Sequence, residues 1–340
     1  MFASVESPPP PIAVLGFITG MWAAQAVATA ARLGIPDKLA EGPRSAAEIA
    51  GAVGADPAAL HRLMRGIAAV GVLAFEPGGR FSLTPVGHCL RSDVPGSMRS
   101  LVIAEMAPAH WLPWNHLERS VRTGEPSAEH ALGTDVWAYY KKHPEEGGYF
   151  AEAMSGFSAI AIEAVLASYS FAGARKVVDV GGSHGAFVAA VLQGEPTARG
   201  VLFDLPEVVE GAGTTLERAG VAGRVERVGG SFFERVPEGG DTYLVKHILH
   251  DWSDDECVKI LANVGRAMAP DGRVVVVEML IDEGGAPSAV PLLDLNMLVM
   301  LTGKERTEAE FGALFSKAGL RLISVTPTPL PVVVLEARRG

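Results

Sequence analysis

The strongest candidate for acid–base chemistry is His250, which lies in the segment LVKHILHDWSDDE. The apolar strand that opens this segment is predicted to end near Ile248, and Ser253 begins a capping box for the helix that follows. Residues 249–252 then form a loop at the carboxyl end of a strand. Because an imidazole titrates near neutral pH, His250 could take up a proton there.

Two neighbours of His250 suit a ligand that carries an aromatic ring and a carboxylate. Trp252 offers a flat face on which an adenine could stack, although packing in the core would also explain a tryptophan at this position. Lys246 offers a positive charge for a carboxylate. For His247 we predict a buried core histidine with satisfied hydrogen bonds.

A glycine-rich turn in the segment KVVDVGGSHGAF could hold a cofactor. The segment predicts a buried strand, a turn and the start of a helix, since an apolar run is bounded by glycines and followed by FVAAVL. Gly181, Gly182 and Gly185 would let the backbone approach a ligand, and the helix would present free N–H groups. Open α/β sheets bind nucleotide-like cofactors at such turns, but similar turns also serve packing alone.

Asp204 could hold the ribose of such a cofactor. It ends the strand segment VLFD, 19 residues after Gly185. A carboxylate at this offset suits hydrogen bonds to ribose hydroxyls. Because Pro206 begins a helix, Asp204 could instead be a helix N-cap. The joint occurrence of glycine turn, strand end and acid favours the ribose.

Strands and helices alternate from Lys176 onward and must position these residues. The segments KVVDV, ARGVLFD, DTYLVKHIL and RVVVVEML predict strands that are separated by helical segments. This alternation predicts an α/β fold with a Rossmann-like, mostly parallel sheet that is covered by helices on both faces. The segments LRLISVTPTP and PVVVLEARR are predicted to close the sheet as an antiparallel edge.

Residues 1–100 are predicted to form a mostly helical winged-helix domain. A capping box at Ser45 starts one helix, and Asp56 followed by proline starts a second helix that ends near Gly71. The segments VLAFE and RFSLT, joined by PGG, predict a β-hairpin wing. Many winged helices bind DNA, but the second helix has few basic residues, so we favour dimerisation.

An uncharged helix is predicted at Ile12–Ala31, and its length would allow it to cross a bilayer. The residues before it lack the positive region of a signal peptide, and Gln25 and Thr29 interrupt its apolar character. We therefore predict no membrane partner and a helix that is buried between subunits.

The segment 101–172 is predicted to be a helical linker that contributes to a pocket for a second ligand. Aromatic and sulfur-containing side chains here and near residue 297 could wall such a pocket, or could be plain core. The candidate pocket residues are Trp111, Phe150, Met154, Phe157, Asn296, Met297 and Met300.

The composition is that of a soluble globular protein. The chain has 340 residues, is 48% hydrophobic, and carries a net charge of -10, which disfavours nucleic acid as a main partner. The two cysteines, Cys89 and Cys257, form no ligand or redox motif. A reduced, cytoplasmic setting is therefore predicted.

The order of several segments resembles that of the S-adenosylmethionine-dependent small-molecule O-methyltransferases. These segments are VVDVGGSHG, FDLP, GGSFF, KHILHDWSDDE, VVVVEMLI and TGKERTEAEF. The family includes plant caffeate and flavonoid enzymes and bacterial antibiotic-tailoring enzymes, and the resemblance covers most of the chain. It implies a homodimer with interlocked N-terminal helices, a catalytic domain at residues 173–340, S-adenosylmethionine as the cofactor, and no required metal.

The resemblance also implies roles for individual residues. His250 corresponds to the general base, Asp251 to its neighbour, and Glu278 and Glu305 to two acids that frame the histidine. The residues that correspond to cofactor contacts are Asp179, Gly181, Gly182, Gly185, Asp204, Leu205, Ser231, Phe232, Lys246 and Trp252.

The sequence departs from the family pattern in three places. Ser183 replaces the third glycine of the turn, and Ser231 replaces the acid of the common GDFF motif, so the adenine amine would meet a hydroxyl. The loop between Glu278 and Glu305 is shorter than in the plant enzymes, which leaves the acceptor open.

The predicted function is therefore O-methyl transfer to a hydroxyl, phenolic in our interpretation, of an aromatic secondary metabolite, with His250 as the base. The alternatives are N-methylation or non-methylating chemistry assisted by the same cofactor. A DNA-binding regulator that senses a small molecule is less favoured, because the chain is acidic and its catalytic set is intact.

Overall fold

The computed structural model of this chain describes residues 9–282, 284 and 288–340. The described chain divides into two compact units. The N-terminal unit comprises the described residues up to Leu112 together with Val136–Gly156, and the C-terminal unit comprises Pro113–Asp135 and the described residues from Phe157 to Gly340. The three-part domain division expected from the sequence stays a prediction.

The N-terminal unit has the winged-helix arrangement that the sequence predicted. Its helices are α1 (Pro10–Arg32), α2 (Ile35–Lys38), α3 (Ala46–Val53), α4 (Pro57–Ala69), α5 (Pro85–His88) and α6 (Arg99–Glu105). Its strands are β1 (Arg44–Ser45), β2 (Leu73–Glu76) and β3 (Arg80–Leu83), paired antiparallel in the order β1-β3-β2. Ser45 forms the predicted capping box with Glu48, and Asp56 caps α4. The sequence did not reveal β1, because two residues carry no periodicity.

Helices continue the chain between the winged helix and the sheet. They are α7 (Pro108–Trp114), α8 (Leu117–Thr123), α9 (Ala128–Leu132), α10 (Val136–Lys142) and α11 (Pro144–Ser168). The predicted break at His143 and Pro144 separates α10 from α11. Proline is tolerated in the first turn of a helix, where its missing N–H is not needed.

Helix α1 has large apolar side chains on its surface within the single chain. They are Ile12, Val14, Leu15, Phe17, Ile18, Met21 and Trp22. By length and composition, α1 and α11 could each span a membrane, but a helix that is covered by protein passes the same test. The predicted uncharged helix is thus present, and its apolar side chains are exposed in the single chain.

The C-terminal unit contains a seven-stranded sheet in the order β6-β5-β4-β7-β8-β10-β9. The strands are β4 (Lys176–Val180), β5 (Arg199–Asp204), β6 (Val225–Gly229), β7 (Thr242–Lys246), β8 (Arg273–Met279), β9 (Leu320–Pro327) and β10 (Val332–Arg339). Strands β4 to β8 are parallel, and β10 pairs antiparallel with β8 and β9. The predicted α/β fold with an antiparallel edge is confirmed.

Helices accompany both faces of this sheet. They are α12 (Ala186–Gly194), α13 (Pro206–Glu210), α14 (Gly213–Arg218), α15 (Asp254–Ala267), α16 (Val290–Met300) and α17 (Glu308–Lys317). Successive residues of a strand face opposite sides, so Val177 joins the core cluster on one face and Val178 the cluster on the other. A sheet that is buried on both faces leaves the carboxyl ends of its strands as the place for ligands.

Two boundaries differ from the sequence prediction. Strand β7 ends at Lys246 instead of near Ile248, because His247 adopts a left-handed backbone with φ of 50° and residues Leu249–Asp251 form a 3-10 turn. The helical segment that begins at Pro206 is divided into α13 and α14 at Gly211 and Ala212, and glycine supports a helix poorly.

Candidate active site

His250 lies in the 3-10 turn that follows β7. A carboxylate binds one of its ring nitrogens, and the other nitrogen can exchange a proton with a substrate. Its Nδ1 is 2.8 Å from Oε1 of Glu305, a residue that precedes α17. Its Nε2 is 3.4 Å from Oδ1 of Asp251. A buried carboxylate at Nδ1 selects the tautomer with the proton on Nδ1, which leaves the Nε2 lone pair free to accept a proton.

Glu278 holds the backbone of this turn rather than the imidazole. Its Oε1 accepts hydrogen bonds from the backbone N–H groups of Ile248 (3.0 Å), Leu249 (2.8 Å) and His250 (3.4 Å). Glu278 is completely buried at the end of β8, the strand next to β7. A carboxylate with these contacts caps the amino end of the turn, as an N-cap does for a helix.

The three carboxylates govern the charge of the histidine. Burial by itself lowers the pKa of His250, but Glu278, Glu305 and Asp251 outweigh it and raise the pKa to about 10. Burial raises the pKa of Asp251 to about 6. For Glu278, burial raises the pKa, yet the neighbouring histidines more than offset it and the pKa is lowered. His250 is therefore protonated at neutral pH in the enzyme without ligands.

His247 is a site residue whose role the sequence reasoning missed. Its Nδ1 lies 3.6 Å from Oε2 of Glu278, and its ring centroid lies 5.6 Å from that of His250. Burial lowers the pKa of His247, although Glu278 partly offsets it. The prediction of a satisfied core histidine stays a prediction; the ring nitrogen faces the Glu278 oxygen that does not bind the turn amides. The left-handed conformation that turns His247 toward Glu278 leaves no signal in the sequence.

His247, His250 and Glu278 could together ligate a metal ion, because one ligand atom from each lies within 4.8 Å of the others. Two of these groups already have protein partners, namely Glu305 for His250 and the turn amides for Glu278. Their arrangement equally suits proton transfer by His250, and the prediction that no metal is required remains a prediction.

The predicted cofactor turn joins β4 to α12, with Asp179 beneath it. Asp179 is buried, and its Oδ2 accepts a hydrogen bond of 3.0 Å from the backbone of Val188. Burial raises the pKa of this carboxyl group to about 6. A Cβ on Gly182 would lie 2.5 Å from the carboxyl carbon of Asp179, so the turn can pack this closely only with glycine. Asp179 thus stabilises the turn through its packing against Gly182 and its hydrogen bond with Val188.

Asp204 bridges the cofactor turn and the next strand end. Its carboxylate accepts hydrogen bonds from the backbone N–H of Ser183 (2.8 Å) and from that of Leu205 (2.7 Å). The N-cap position of α13 is Leu205, so the alternative that Asp204 caps this helix does not hold. Ser183 keeps the left-handed backbone of the glycine that it replaces, with φ of 52°. The side chain of Leu205 is half exposed beside this carboxylate.

The other predicted cofactor contacts lie around the neighbouring strand ends. Burial lowers the pKa of Lys246, although Asp179 and Glu278 partly offset it. The ring of Trp252 packs edge-on against Phe233, with centroids 4.7 Å apart, and is partly buried. Ser231 accepts a hydrogen bond from the backbone of Phe233 at 3.3 Å. Phe232 packs edge-on against both of these aromatic rings.

The candidate pocket residues fall in both units, and each set is described by itself. In the C-terminal unit, Oδ1 of Asn296 accepts a hydrogen bond of 2.8 Å from the indole of Trp114. Met297 and Met300 are buried on the same helix, α16, and Phe157 is 41% exposed.

In the N-terminal unit, Phe150 stacks on Tyr140 with ring centroids 5.0 Å apart. Trp111 is partly buried and Met154 is 38% exposed. Phe150 therefore has the contacts of a core residue, whereas Met154 has surface left for a ligand.

The fold, with a glycine turn and a histidine–carboxylate pair at the carboxyl edge of its sheet, defines a Rossmann-like methyltransferase. The O-methyltransferase dimerisation domain matches residues 15–93, and the O-methyltransferase domain matches residues 114–321. The chain belongs to the O-methyltransferase family, as the sequence predicted.

Similar proteins come from antibiotic producers. The phenazine O-methyltransferase PhzM of Lysobacter antibioticus is 40% identical over 325 residues, which cover 96% of this chain and 95% of that protein. The mitomycin biosynthesis 6-O-methyltransferase of Streptomyces lavendulae is 41% identical over 327 residues, or 95% of this chain and 93% of that protein.

One similar solved structure includes ligands. The O-methyltransferase NcsB1 from neocarzinostatin biosynthesis was solved with S-adenosylmethionine and 2-hydroxy-5-methyl naphthoic acid. It is 33% identical with a TM-score of 0.81, and the alignment covers 93% of this chain and 96% of that one.

Proposed function

We propose that this enzyme transfers a methyl group to a hydroxyl, preferably phenolic, of a small aromatic secondary metabolite, with His250 as the general base. The observation that carries the proposal is the imidazole of His250, held at Nδ1 by the Glu305 carboxylate at 2.8 Å. Its Nε2 is left to accept a proton at the same sheet edge as the glycine turn. Two sequence relatives are named a phenazine O-methyltransferase and a mitomycin biosynthesis 6-O-methyltransferase, which supports methyl transfer to an oxygen of a small secondary metabolite.

The cofactor is S-adenosylmethionine, whose sulfonium supplies an electrophilic methyl group when it is bound. We assign Asp204 to its ribose, because this carboxylate stands at a strand end with an exposed apolar neighbour, Leu205. Lys246 would face its carboxylate, and Phe232 and Trp252 its adenine. The glycine turn would accommodate its methionine end.

In the proposed mechanism, the side chains of the enzyme take part in a single proton transfer. His250 removes the hydroxyl proton of the acceptor at Nε2, and Glu305 stabilises the imidazolium that results. A positioned base contributes on the order of 10²–10⁴-fold to the rate. The remaining acceleration comes from alignment of the two substrates, which is worth up to about 7–11 kcal/mol.

The raised pKa of His250 matches a phenolic acceptor. A phenol has a pKa of about 10, as tyrosine does, and the carboxylates raise the pKa of His250 to about 10 as well. A base whose pKa is raised toward that of a phenol makes proton transfer from the phenol less unfavourable in free energy. The same raised pKa means that only a small fraction of the free enzyme carries a neutral imidazole at pH 7.

The pH dependence of the reaction follows from the protonation of His250. We expect kcat/KM to rise with pH through the neutral range, because the reactive form has a neutral His250. In Glu305→Gln one of the anions that raise the pKa of His250 is removed, so that pKa falls and the acid limb moves to lower pH by about 1 to 3 pH units. Methyl transfer to one acceptor, measured from about pH 6 to pH 10, tests this expectation.

Glu308→Gln is the matched control, since it removes the same charge from an exposed position in the first turn of α17. Its pH profile should coincide with that of the wild type. An unchanged acid limb in Glu305→Gln would show that the profile reports a group other than His250.

Asp204→Asn tests the ribose contact. An amide keeps the shape but loses the charge, and a hydrogen bond to a charged group is worth about 1.5–3 kcal/mol. We therefore expect the Kd for S-adenosylmethionine to rise about 10- to 150-fold. The melting temperature should fall as well, because the amide nitrogen cannot accept the hydrogen bond that one carboxylate oxygen accepts from the backbone of Ser183 or Leu205. Isothermal titration calorimetry measures the Kd, and an unchanged value would remove Asp204 from the binding site.

The experiment that tests the function is incubation with isotopically labelled S-adenosylmethionine and a panel of phenols, matched anilines and DNA oligonucleotides. Transfer of label to phenol oxygen, detected by mass spectrometry, is expected. N-methylation is the second candidate, because relatives with 35% and 34% identity are N-methyltransferases. Label on the anilines alone would favour that candidate, and the absence of transfer while the cofactor binds would favour non-methylating chemistry.

We further propose that the protein is a cytoplasmic homodimer. The exposed apolar side chains of α1 lie largely within the matched dimerisation domain, and a second copy would cover them. Sedimentation at micromolar concentration tests this proposal, and a monomer would contradict it.

A further inference from the structure

Arg306 has a completely buried side chain, and it binds backbone carbonyls on both sides of His250. Its Nη1 donates hydrogen bonds to the carbonyl oxygens of Leu249 (2.8 Å) and Lys304 (3.2 Å). Its Nη2 donates to the carbonyl oxygen of Trp252 (2.8 Å). Nε and Nη2 also contact Oδ1 of Asp254, at 3.0 and 2.9 Å. The guanidinium therefore binds the backbone on both sides of His250 and Asp251.

We propose that Arg306 is a positioning residue for methyl transfer, which holds the His250 turn against the segment that carries Glu305. The inference rests on the proposed role of His250 as the base. Arg306 follows Glu305 directly, so one short segment supplies both the carboxylate at Nδ1 of His250 and the guanidinium that holds the flanking carbonyls.

Other contacts tie this segment down. The backbone N–H of Glu305 donates to Oδ1 of Asp294 on α16 (2.9 Å), and the carbonyl oxygen of Arg306 accepts a hydrogen bond from Ile281 (3.0 Å) at the end of β8. Glu278 thus binds backbone N–H groups of the turn, and Arg306 binds backbone carbonyl oxygens of the same turn. Both sets of backbone groups are satisfied by charged side chains, which fixes the position of the imidazole more strongly than neutral partners would.

No other residue type reproduces these contacts. A guanidinium presents five N–H donors in a rigid plane, and here it makes five contacts. Lysine has three donors on a single atom and cannot span the two carbonyls that flank the turn. A displacement of about 1 Å in a reacting group can cost on the order of 10²-fold in rate.

The test compares Arg306→Lys and Arg306→Gln with the wild type for kcat, KM, the Kd for S-adenosylmethionine and the pH profile. We expect kcat to fall about 10- to 100-fold while the Kd for the cofactor stays within about threefold. The acid limb of kcat/KM should also move to lower pH, because an imidazole displaced from Glu305 loses part of the interaction that keeps it protonated. Arg306→Lys should retain more activity than Arg306→Gln.

Arg224→Lys is the matched control. Arg224 also binds several backbone carbonyls, those of Leu192, Glu195, Pro196 and Ala198, and none of these belongs to the site. If Arg306→Gln does not fold, Arg306→Lys decides, because lysine keeps the positive charge beside Asp254 but cannot span the carbonyl oxygens of Leu249 and Trp252. A kcat and a pH profile equal to those of the wild type in these variants would overturn the proposal. So would a fall in kcat no larger than that of Arg224→Lys, if the pH profile does not change.

The same set of proteins separates this inference from the proposed function. If His250→Ala is inactive while Arg306→Lys behaves as the wild type, only the role of Arg306 fails. If His250→Ala is fully active, the base assignment fails first and the role of Arg306 fails with it.

Discussion

His250→Ala is expected to lower kcat/KM about 10²–10⁴-fold and to leave the Kd for S-adenosylmethionine almost unchanged. The imidazole is the group proposed to take the proton, whereas the proposed cofactor contacts are made by other side chains, such as that of Asp204. Alanine removes the base without introducing a new steric contact. Initial rates with a labelled methyl group and calorimetric titration of the cofactor measure the two quantities.

His88→Ala is a suitable control, since His88 is exposed on α5 of the N-terminal unit and should have no effect on the rate. Full activity of His250→Ala would mean that the acceptor is already ionised or that another group is the base. These two explanations differ in pH dependence, because an acceptor that ionises by itself gives a profile that follows the pKa of the acceptor.

Gly303→Ala is expected to lower kcat by about 10²-fold or more, because it displaces the His250 turn. A Cβ at residue 303 would overlap the backbone oxygen of His250 and the carbonyl carbon of Asp251. Backbone atoms cannot rotate away as a flexible side chain can, so one of the two segments must move. Such a movement separates His250 from Glu305, which stands two residues after Gly303.

The matched control is Gly312→Ala within α17, where an added Cβ would meet nothing within 4 Å. Alanine stabilises an open helical position by about 0.5–1 kcal/mol relative to glycine, so this variant should melt slightly higher with unchanged kcat. Thermal unfolding and initial rates of both variants are the measurements. Wild-type kcat in Gly303→Ala would contradict the close packing of these two segments around the site.

Much of the fold could be predicted from the sequence because its signals are local. Strand β4, the glycine turn and α12 occur as the segment KVVDVGGSHGAF predicts, since apolar runs and glycines act over a few residues. The capping boxes at Ser45 and Ser253 were identified in the same way. Strand alternation predicted the parallel sheet, and its antiparallel edge followed from the last two strands.

The end of β7 shows where local reasoning fails. The apolar pattern continues through Ile248, but the strand ends at Lys246, and His247 takes a left-handed backbone. The Glu278 carboxylate, 30 residues further along the chain, accepts the amide hydrogen bonds of Ile248 and Leu249 and so stabilises a turn in place of a strand. A contact across the sheet decides this boundary, and no pattern of neighbouring residues contains it.

The sequence predicted which reactive side chains follow the ends of the strands. This was possible because side-chain chemistry and hydrophobic periodicity are properties of short segments. The tertiary structure decides which group of the site each carboxylate binds. Glu305 reaches Nδ1 of His250 across 55 residues of sequence, Glu278 binds the turn amides, and Arg306 binds the carbonyls on both sides. These contacts depend on the register of β7 against β8, which brings Glu278 beside the turn. Burial by itself lowers the pKa of His250, and the three carboxylates gathered around it raise that pKa to about 10. Distances of this kind arise only when the folded chain brings distant segments together.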